Sequence, residues 1–149
     1  MPTSNSSAKV WPDINGSETP DIKRSEPKPL VLSDLFTLAD QPERLAWEFF
    51  RPGVEIHRLY GDGEQGPAAA LLRYEPGAQV PPHTHTGYEH IIVLSGAQSD
   101  HHGTNAAGTL VINAPGSGHQ VASKTGCIVL IIWEKPVAMQ SAKDQHLFD

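Results

Sequence analysis

The sequence predicts an all-β protein built from many short antiparallel strands, as in a sandwich or a small barrel. Twelve of the 13 glycines lie between Gly53 and Gly126, about ten residues apart, and short runs rich in Val, Ile, Leu and aromatic residues separate them. Residues 33–46 are the one helix-like stretch; Pro42 interrupts it, and Ser33 is a candidate cap for its first turn.

Seven strands are expected along the chain. Two glycine-rich stretches, 61–66 and 114–118, read as turns because glycine accepts a positive φ. Residues 91–94 and 127–133 are continuously apolar, so both of their faces should be buried, at the centre of a sheet whose outer side is also covered. The expected strands are residues 47–50, 54–60, 68–74, 79–83, 90–95, 109–113 and 127–133.

Length and composition narrow the class of protein. A chain of 149 residues has room for one full-sized domain, and a net charge of −6 argues against a nucleic-acid or anionic-membrane partner. The longest apolar run covers seven residues, 127–133, whereas a membrane-spanning helix needs about 20. The N-terminus lacks a signal-like apolar segment, and the single Cys127 excludes an internal disulfide. We therefore expect a cytoplasmic protein.

Three segments are expected along the chain. Residues 1–30 hold five prolines and mostly polar side chains, which predicts a flexible N-terminal arm. Residues 31–140 should form a single domain, and residues 141–149 a C-terminal tail. Alternatively, residues 10–11 or 30–32 dock on a sheet edge of this or a partner chain.

Histidine and carboxylate side chains cluster within residues 81–90. His83 and His85 are two apart, so on a strand both rings lie on one face and can share a metal. Glu89 would lie about 14 Å from His85 on a straight strand, so the chain must fold back near Thr86–Gly87. A further ligand must come from another strand, and His119 directly follows the second glycine turn.

The other histidines are given simpler interpretations. His101 and His102 should lie at a solvated loop tip, with at most a weak adventitious metal site, and His57 should lie on a strand surface. His90 should face away from Glu89, and His146 should be inert in the polar tail.

The spacing of these residues resembles the cupin superfamily. Gly77-(X)5-His83-X-His85-(X)3-Glu89-(X)6-Gly96 fits the first cupin motif at every required position. Gly108, Gly116 and His119 follow the second motif, with Ala114 at its proline position and Ser123 at its asparagine position. The stretch PGSGH followed by Gly126–Cys127 is most similar to the ChrR-like cupin subgroup.

This resemblance implies a double-stranded β-helix, also called a cupin barrel or jelly roll. It implies a site for one divalent transition metal per chain (Zn, Fe, Mn or Ni), with one or two coordination positions open. The metal ligands that carry over from the family are His83, His85, Glu89 and His119.

Two functions are implied, together with a structural alternative. The first is a mononuclear metal-dependent oxygenase (a dioxygenase-type oxidoreductase) acting on a small diketone-like or hydroxyketone-like substrate, with no separate acid or base assigned. The second is a non-catalytic metal- or ligand-sensing module similar to the cupin domain of the ChrR anti-sigma factor. Residues 1–50 lack His and Cys, so a stand-alone cupin without the zinc-binding anti-sigma module is expected. In the third, the metal only stabilises the barrel.

Other side chains are assigned from their positions. Trp47, Phe49 and Phe50 are expected in the core or an interface, and Tyr74 and Tyr88 are candidates for the pocket. Arg73 is expected on a strand surface, with a pocket cation as the alternative, and Cys127 is expected to be a buried hydrophobic residue. Cupins commonly pair through sheet edges, so a homodimer is expected, with Trp11, residues 30–32 and residues 47–50 as the apolar contact.

Overall fold

A computed structural model describes residues 25–140 of the chain. The helical elements are α1 (Leu35–Asp40) and a 3-10 helix (Pro42–Arg44). The strands are β1 (Glu48–Arg51), β2 (Val54–Tyr60), β3 (Ala68–Tyr74), β4 (Ala78–Thr84), β5 (Glu89–Asp100), β6 (Gly103–Ala106), β7 (Leu110–Asn113), β8 (Gly118–Ser123), β9 (Cys127–Trp133) and β10 (Ala138–Met139).

The strands form two antiparallel sheets that share β5. In the first sheet the order is β1-β2-β3-β9-β5-β7, and in the second it is β6-β5-β8-β4-β10. Residues 89–96 of β5 pair with β9, whereas residues 97–100 pair with β6 and Ser99 also pairs with β8. This curled antiparallel arrangement confirms the predicted all-β class and its double-stranded β-helix form.

The passage of β5 from one sheet to the other occurs at Gly96. Its φ is +69°, a backbone conformation that residues with a Cβ rarely adopt. A Cβ built there would lie only 2.0 Å from the carbonyl oxygen of Gly126. Glycine is therefore required at this position both by backbone conformation and by space.

The core has an inner and an outer part. The inner cluster lies between the sheets and includes Ile56, Leu72 and Val129. The outer cluster includes Leu94 and Ile128, and α1 and its flanking residues pack over it, with Leu35, Leu45 and Trp47 partly buried. Residues 91–94 and 127–133 thus contribute to both clusters, as their continuous apolar pattern predicted.

The helical stretch agrees with expectation except at its start. Pro42 interrupts the helical stretch, as predicted: α1 ends at Asp40 and the 3-10 helix begins at Pro42. The expected Ser33 cap is wrong, because the residue before α1 is Asp34, which has a φ of +54° and makes no side-chain capping hydrogen bond within residues 25–140. The first turn is instead held by backbone hydrogen bonds, including Leu38 N–H to Asp34 O at 2.9 Å.

The strand predictions were correct in position but incomplete. β6, β8 and β10 were not predicted as strands, and β5 is longer than the expected residues 90–95. β8 was missed because its sequence GHQVAS carries only one large apolar residue, Val121.

The described residues fall into two units, which divide between residues 31 and 32. Of the first unit, residues 25–31 are described; they are exposed and have no regular secondary structure. The predicted arm and tail, together with Trp11 and His146, fall mainly or wholly outside the described residues, so they remain predictions. No helix among residues 25–140 is both long and apolar enough to cross a membrane.

Candidate metal centre

Four buried side chains from three strands and one loop converge between the sheets. They are called here the four-residue cluster, and their potential ligand atoms all lie within 4.8 Å of one another. The cluster consists of His83 on β4, His85 just after β4, Glu89 at the start of β5 and His119 on β8.

A β-bulge in β4 turns His83 inward. Val80 pairs with Val121 and His83 pairs with His119, so three steps along β4 match two steps along β8. Because side chains alternate along a regular strand, His83 would face away from Val80 without this extra residue. The bulge falls at Pro81–Pro82, and proline, which lacks an N–H, is tolerated at bulges.

The chain folds back between β4 and β5 where the sequence predicted it. Gly87 was expected to allow the bend through its backbone conformation, but it allows the bend by its small size. Gly87 is not among the residues with positive φ. A Cβ there would instead lie 3.0 Å from Oε2 of Glu134, whose carboxylate accepts a hydrogen bond from the Tyr88 N–H at 2.8 Å. Gly87 therefore allows close packing of the turn against the segment after β9.

Each imidazole of the four-residue cluster is oriented by a hydrogen bond from its Nδ1 atom. His83 donates to the carbonyl of Pro81, His85 to the hydroxyl of Ser117 and His119 to the carboxylate of Asp100, each at 2.9 Å. The hydroxyl of Ser117 in turn donates to the carbonyl of Ala114, which leaves its oxygen to accept from His85. These contacts leave the Nε2 atoms to face the centre of the cluster.

The Nε2 atoms supply the test of whether a metal fits. Those of His85 and His119 are buried and have no hydrogen-bond partner among the described residues. They lie 3.1 Å and 3.7 Å from Oε1 of Glu89, without hydrogen-bonding geometry. Buried polar atoms without partners are rare and costly, and a bound cation would satisfy both nitrogens. The residues present therefore fit a metal ion.

Glu89 is held by two side chains of the first sheet. Its Oε1 accepts a hydrogen bond from Asn113 Nδ2 at 3.1 Å, and its Oε2 accepts one from Trp133 Nε1 at 2.9 Å. Burial alone would raise the pKa of Glu89, but its contact with His85 and the nearby imidazoles lower that pKa below its usual value. The carboxylate is therefore in its ionised, metal-binding form.

The protonation states of His83 and Asp100 also suit metal binding. Burial lowers the pKa of His83, which favours the neutral imidazole, although hydrogen bonding to Pro81 opposes this. The pKa of Asp100 is also lowered: burial would raise it, but hydrogen bonds from His119 and from the backbone N–H of His102 outweigh burial. An ionised Asp100 increases the basicity of His119 as a ligand.

The cluster borders a mostly apolar cavity. The cavity contains about 400 Å³ of space not occupied by atoms, part of it open to solvent. Tyr74 lines it as expected, whereas Tyr88 is 48% exposed and does not line it. Phe50 packs against the inner cluster, as expected, and also lines the cavity. The apolar lining residues are Phe50, Leu72, Val80, Ile91, Val121, Ile131, Trp133, Val137 and Met139.

The other histidines among residues 25–140 lie away from the cluster. His57 donates its Nδ1 proton to the carbonyl of Ala46 at 2.7 Å on the sheet surface. His101 and His102 are exposed in the turn between β5 and β6, and His90 is half-buried beside Ile112 on the outer face of the sheet. These positions agree with the sequence interpretation.

Two further assignments were correct. Arg73 lies on the outer face, where its Nη2 is 2.7 Å from Oε2 of Glu55, so it is not a pocket cation. Cys127 is buried in the inner cluster, and burial raises the pKa of its thiol to about 11.

The partners that orient the cluster were not identified from the sequence. Asp100 belonged to an expected polar loop, and Asn113 and Trp133 ended two expected strands with no indication of a role. Only the strand register brings Asn113 and Trp133 to either side of Glu89.

Comparison with known families gives one match by sequence. The ChrR cupin-like domain family matches residues 37–137. No curated protein matches the chain in sequence at a significant level.

Solved structures with a similar fold include proteins of several kinds. The anti-sigma factor ChrR of Rhodobacter sphaeroides, in complex with SigE, is 26% identical with a TM-score of 0.54, over 72% of this chain and 70% of that chain. An acetylacetone dioxygenase from Acinetobacter johnsonii is 14% identical with a TM-score of 0.63, over 85% and 87%. A protein with a cupin-like fold from Ralstonia eutropha JMP134 is 22% identical with a TM-score of 0.56; the alignment covers 61% of this chain and 60% of that one.

Proposed function

This chain belongs to the ChrR cupin-like domain family, and on that basis we propose that it is a mononuclear metal-dependent oxygenase. Its proposed substrate is a small organic molecule of the diketone or hydroxyketone kind. The observation that carries the proposal is the pair of buried, unpartnered Nε2 atoms, on His85 and His119, beside the ionised Glu89.

The proposed ligands of the metal are His83, His85, Glu89 and His119. Three neutral imidazoles and one carboxylate are ligands that Zn, Fe, Mn and Ni all accept, and they leave room for further ligands. When bound, a redox-active ion of this group would supply Lewis-acid and electron-transfer chemistry at one wall of the cavity.

The side chains around the cluster would prepare the site. Trp133 and Asn113 hold the carboxylate of Glu89, and Asp100 fixes the ring of His119. The apolar walls would exclude water and bind the hydrocarbon part of a substrate. The substrate class is suggested by the acetylacetone dioxygenase that shares this fold.

A second candidate function is a metal- or ligand-sensing module without turnover. It is favoured by the 26% identity to ChrR, whose structure is a complex with the sigma factor SigE. In this case, occupancy of the cavity would alter binding to a protein partner of the same kind.

Metal analysis followed by oxygen uptake tests these two candidates. We expect about one transition-metal ion per chain by elemental analysis of the native preparation. The protein loaded with Fe(II) should consume oxygen with acetylacetone or a hydroxyketone, and His83→Ala should abolish both metal binding and uptake. Absence of metal would contradict the oxygenase and a metal sensor and leave only a ligand sensor, whereas bound metal without oxygen uptake across the substrate panel would favour the sensor.

A homodimer is also proposed. Phe49 is 78% exposed on the edge strand β1, and it offers an apolar contact to a second copy. Size-exclusion chromatography with light scattering should give twice the mass of one chain, and Phe49→Ser should shift the mass towards a single chain. The net charge of −6 argues against nucleic acid as a partner.

A further inference from the structure

Arg51 faces the interior of the barrel because of an irregularity in β1. Phe49 pairs with Glu55 and Arg51 pairs with Val54, so Phe50 is an extra residue in the edge strand. Residues paired across antiparallel strands share a face of the sheet, and Val54 belongs to the inner cluster. The bulge therefore places a cation on the cavity side of the sheet.

The guanidinium of Arg51 has no anionic partner among residues 25–140. It lines the same cavity as His83, Glu89 and His119. Its Nε is buried without a hydrogen-bond partner in that part of the chain, and its Cζ lies 4.9 Å from the centre of the Phe50 ring. By contrast, Arg73 on the outer face has a carboxylate, Glu55, at 2.7 Å.

A buried guanidinium N–H without an acceptor is costly, and it is suited to binding a carboxylate. Arg51 contributes one positive charge to the cavity and Glu89 one negative charge, and imidazoles that bind a metal are neutral. A divalent ion on the cluster would therefore leave the cavity with a net charge of about +2. Such a cavity favours an anion.

Two polar side chains, Tyr74 and Gln98, also line this cavity. Gln98 Nε2 donates a long hydrogen bond of 3.4 Å to the hydroxyl of Tyr74. Burial raises the pKa of Tyr74, so its hydroxyl keeps its proton and can act as a donor, and the charge of Arg51 acts in the opposite direction on that pKa. An anionic oxygen beside Arg51 would thus have a second potential donor nearby.

We infer that Arg51 binds a carboxylate of the ligand, so that the preferred ligand is a small organic acid with a short apolar body. Its carbonyl end would reach the four-residue cluster while its carboxylate contacts Arg51. This inference rests on the proposed function, because the cluster is taken to hold the metal that binds the carbonyl end.

The test compares two probes that differ by one carboxylate. Pentane-2,4-dione and 2,4-dioxopentanoate are titrated into zinc-loaded protein, in which no turnover occurs, and binding is followed by calorimetry. The acid should bind at least about tenfold more tightly than the dione, as expected for a charge-assisted hydrogen bond. Arg51→Met should remove this preference and leave dione binding within about twofold.

Two variants serve as controls. Arg51→Lys retains the charge and should keep part of the preference for the acid. This variant tests the inference even if Arg51→Met folds poorly. Arg58→Met makes the same charge change at an exposed position of β2, and it should leave both affinities unchanged.

The outcomes separate this inference from the proposed function. Equal affinity of wild type and folded Arg51→Met for the acid would overturn the role of Arg51, while normal zinc binding in both would leave the metal site intact. If the wild type bound no zinc but the metal-free protein still lost acid binding on Arg51→Met, the proposed function would fail and the role of Arg51 would stand.

Discussion

His83 and His119 are direct cross-strand partners on β4 and β8, and their ring centres are 4.8 Å apart. This pairing exists only because the bulge at Pro81–Pro82 shifts the register by one residue. The two histidines come from different sequence motifs, and the strand pairing itself holds them at a distance that one metal ion can bridge.

Replacing His119 tests whether the second motif contributes a ligand. His119→Ala removes one of four proposed ligands, so zinc affinity should fall by at least about 100-fold. Competition with a chelating dye measures this affinity. His101→Ala, at the exposed turn, is the matched control, and an unchanged affinity in His119→Ala would show that His119 is not a ligand.

Replacing Asp100 tests the orientation of His119. Asp100→Asn keeps the size of the side chain but loses the charge that holds the Nδ1–H at 2.9 Å. Zinc affinity should fall by about 10- to 100-fold, less than for His119→Ala. In a His119→Ala background, Asp100→Asn should lower zinc affinity little further. If the two losses of affinity were fully additive, Asp100 would not act through His119.

Acid should release the metal while the fold remains. Protons compete with the metal for neutral imidazoles, and burial lowers the pKa of His83 below its ordinary value of 6.5. The lowered pKa means that His83 stays neutral to a lower pH than a free histidine, so zinc should be retained at pH 6.5 and lost below about pH 5.5. A zinc-sensitive dye measures release, with circular dichroism as the control for folding. Zinc held firmly at pH 4 would contradict imidazole ligation.

The thiol of Cys127 should be unreactive in the folded protein. Its pKa is raised to about 11 by burial, although a contact with Ser123 acts against this. At pH 8 only about one thiol in a thousand would be ionised, and the thiolate is the reactive form. Ellman's reagent should therefore detect one thiol in urea and almost none without it. Rapid labelling of the native protein would show that the strand opens locally.

Alanine substitutions at Gly96 and Gly63 distinguish the cost of backbone strain from the cost of a steric clash. Both have positive φ, +69° and +78°, but only the Cβ at Gly96 would meet other atoms. Gly96→Ala should lower the free energy of unfolding by about 3 kcal/mol or more, and Gly63→Ala by about 1 kcal/mol. Urea denaturation measures both, and equal losses would mean that the contact with Gly126 relaxes without cost.

The sequence predicted which four residues come together, but it did not predict the side chains that orient them. His83, His85, Glu89 and His119 were found from motif spacing, which depends only on positions along the chain. The inward turn of His83 does not follow from the strand pattern, since the alternation of side chains gives opposite faces for Val80 and His83 unless the bulge is known. The contact of Asp100 with His119 depends on β5 continuing past Gly96 into the second sheet.

Two further features, the strand β8 and the position of Phe50, were not evident from the sequence for a similar reason. β8 has an alternation of polar and apolar residues that is short and begins with glycine, so its strand signal was weak. Phe50 packs against the inner cluster, in agreement with its assignment to the core or an interface, but the sequence did not show that it also lines the cavity beside the bulge in β1. In both cases the decisive information was pairing between distant segments, which a single sequence does not contain.

The sharing of β5 between the two sheets has a consequence for how the protein opens. Glu89 lies at one end of this strand and Asp100 at the other, and neither sheet can separate from it without disturbing one of them. Backbone amides along β5 should consequently exchange with deuterium only through cooperative opening of the domain. A ligand held at one end would then slow exchange along the entire strand.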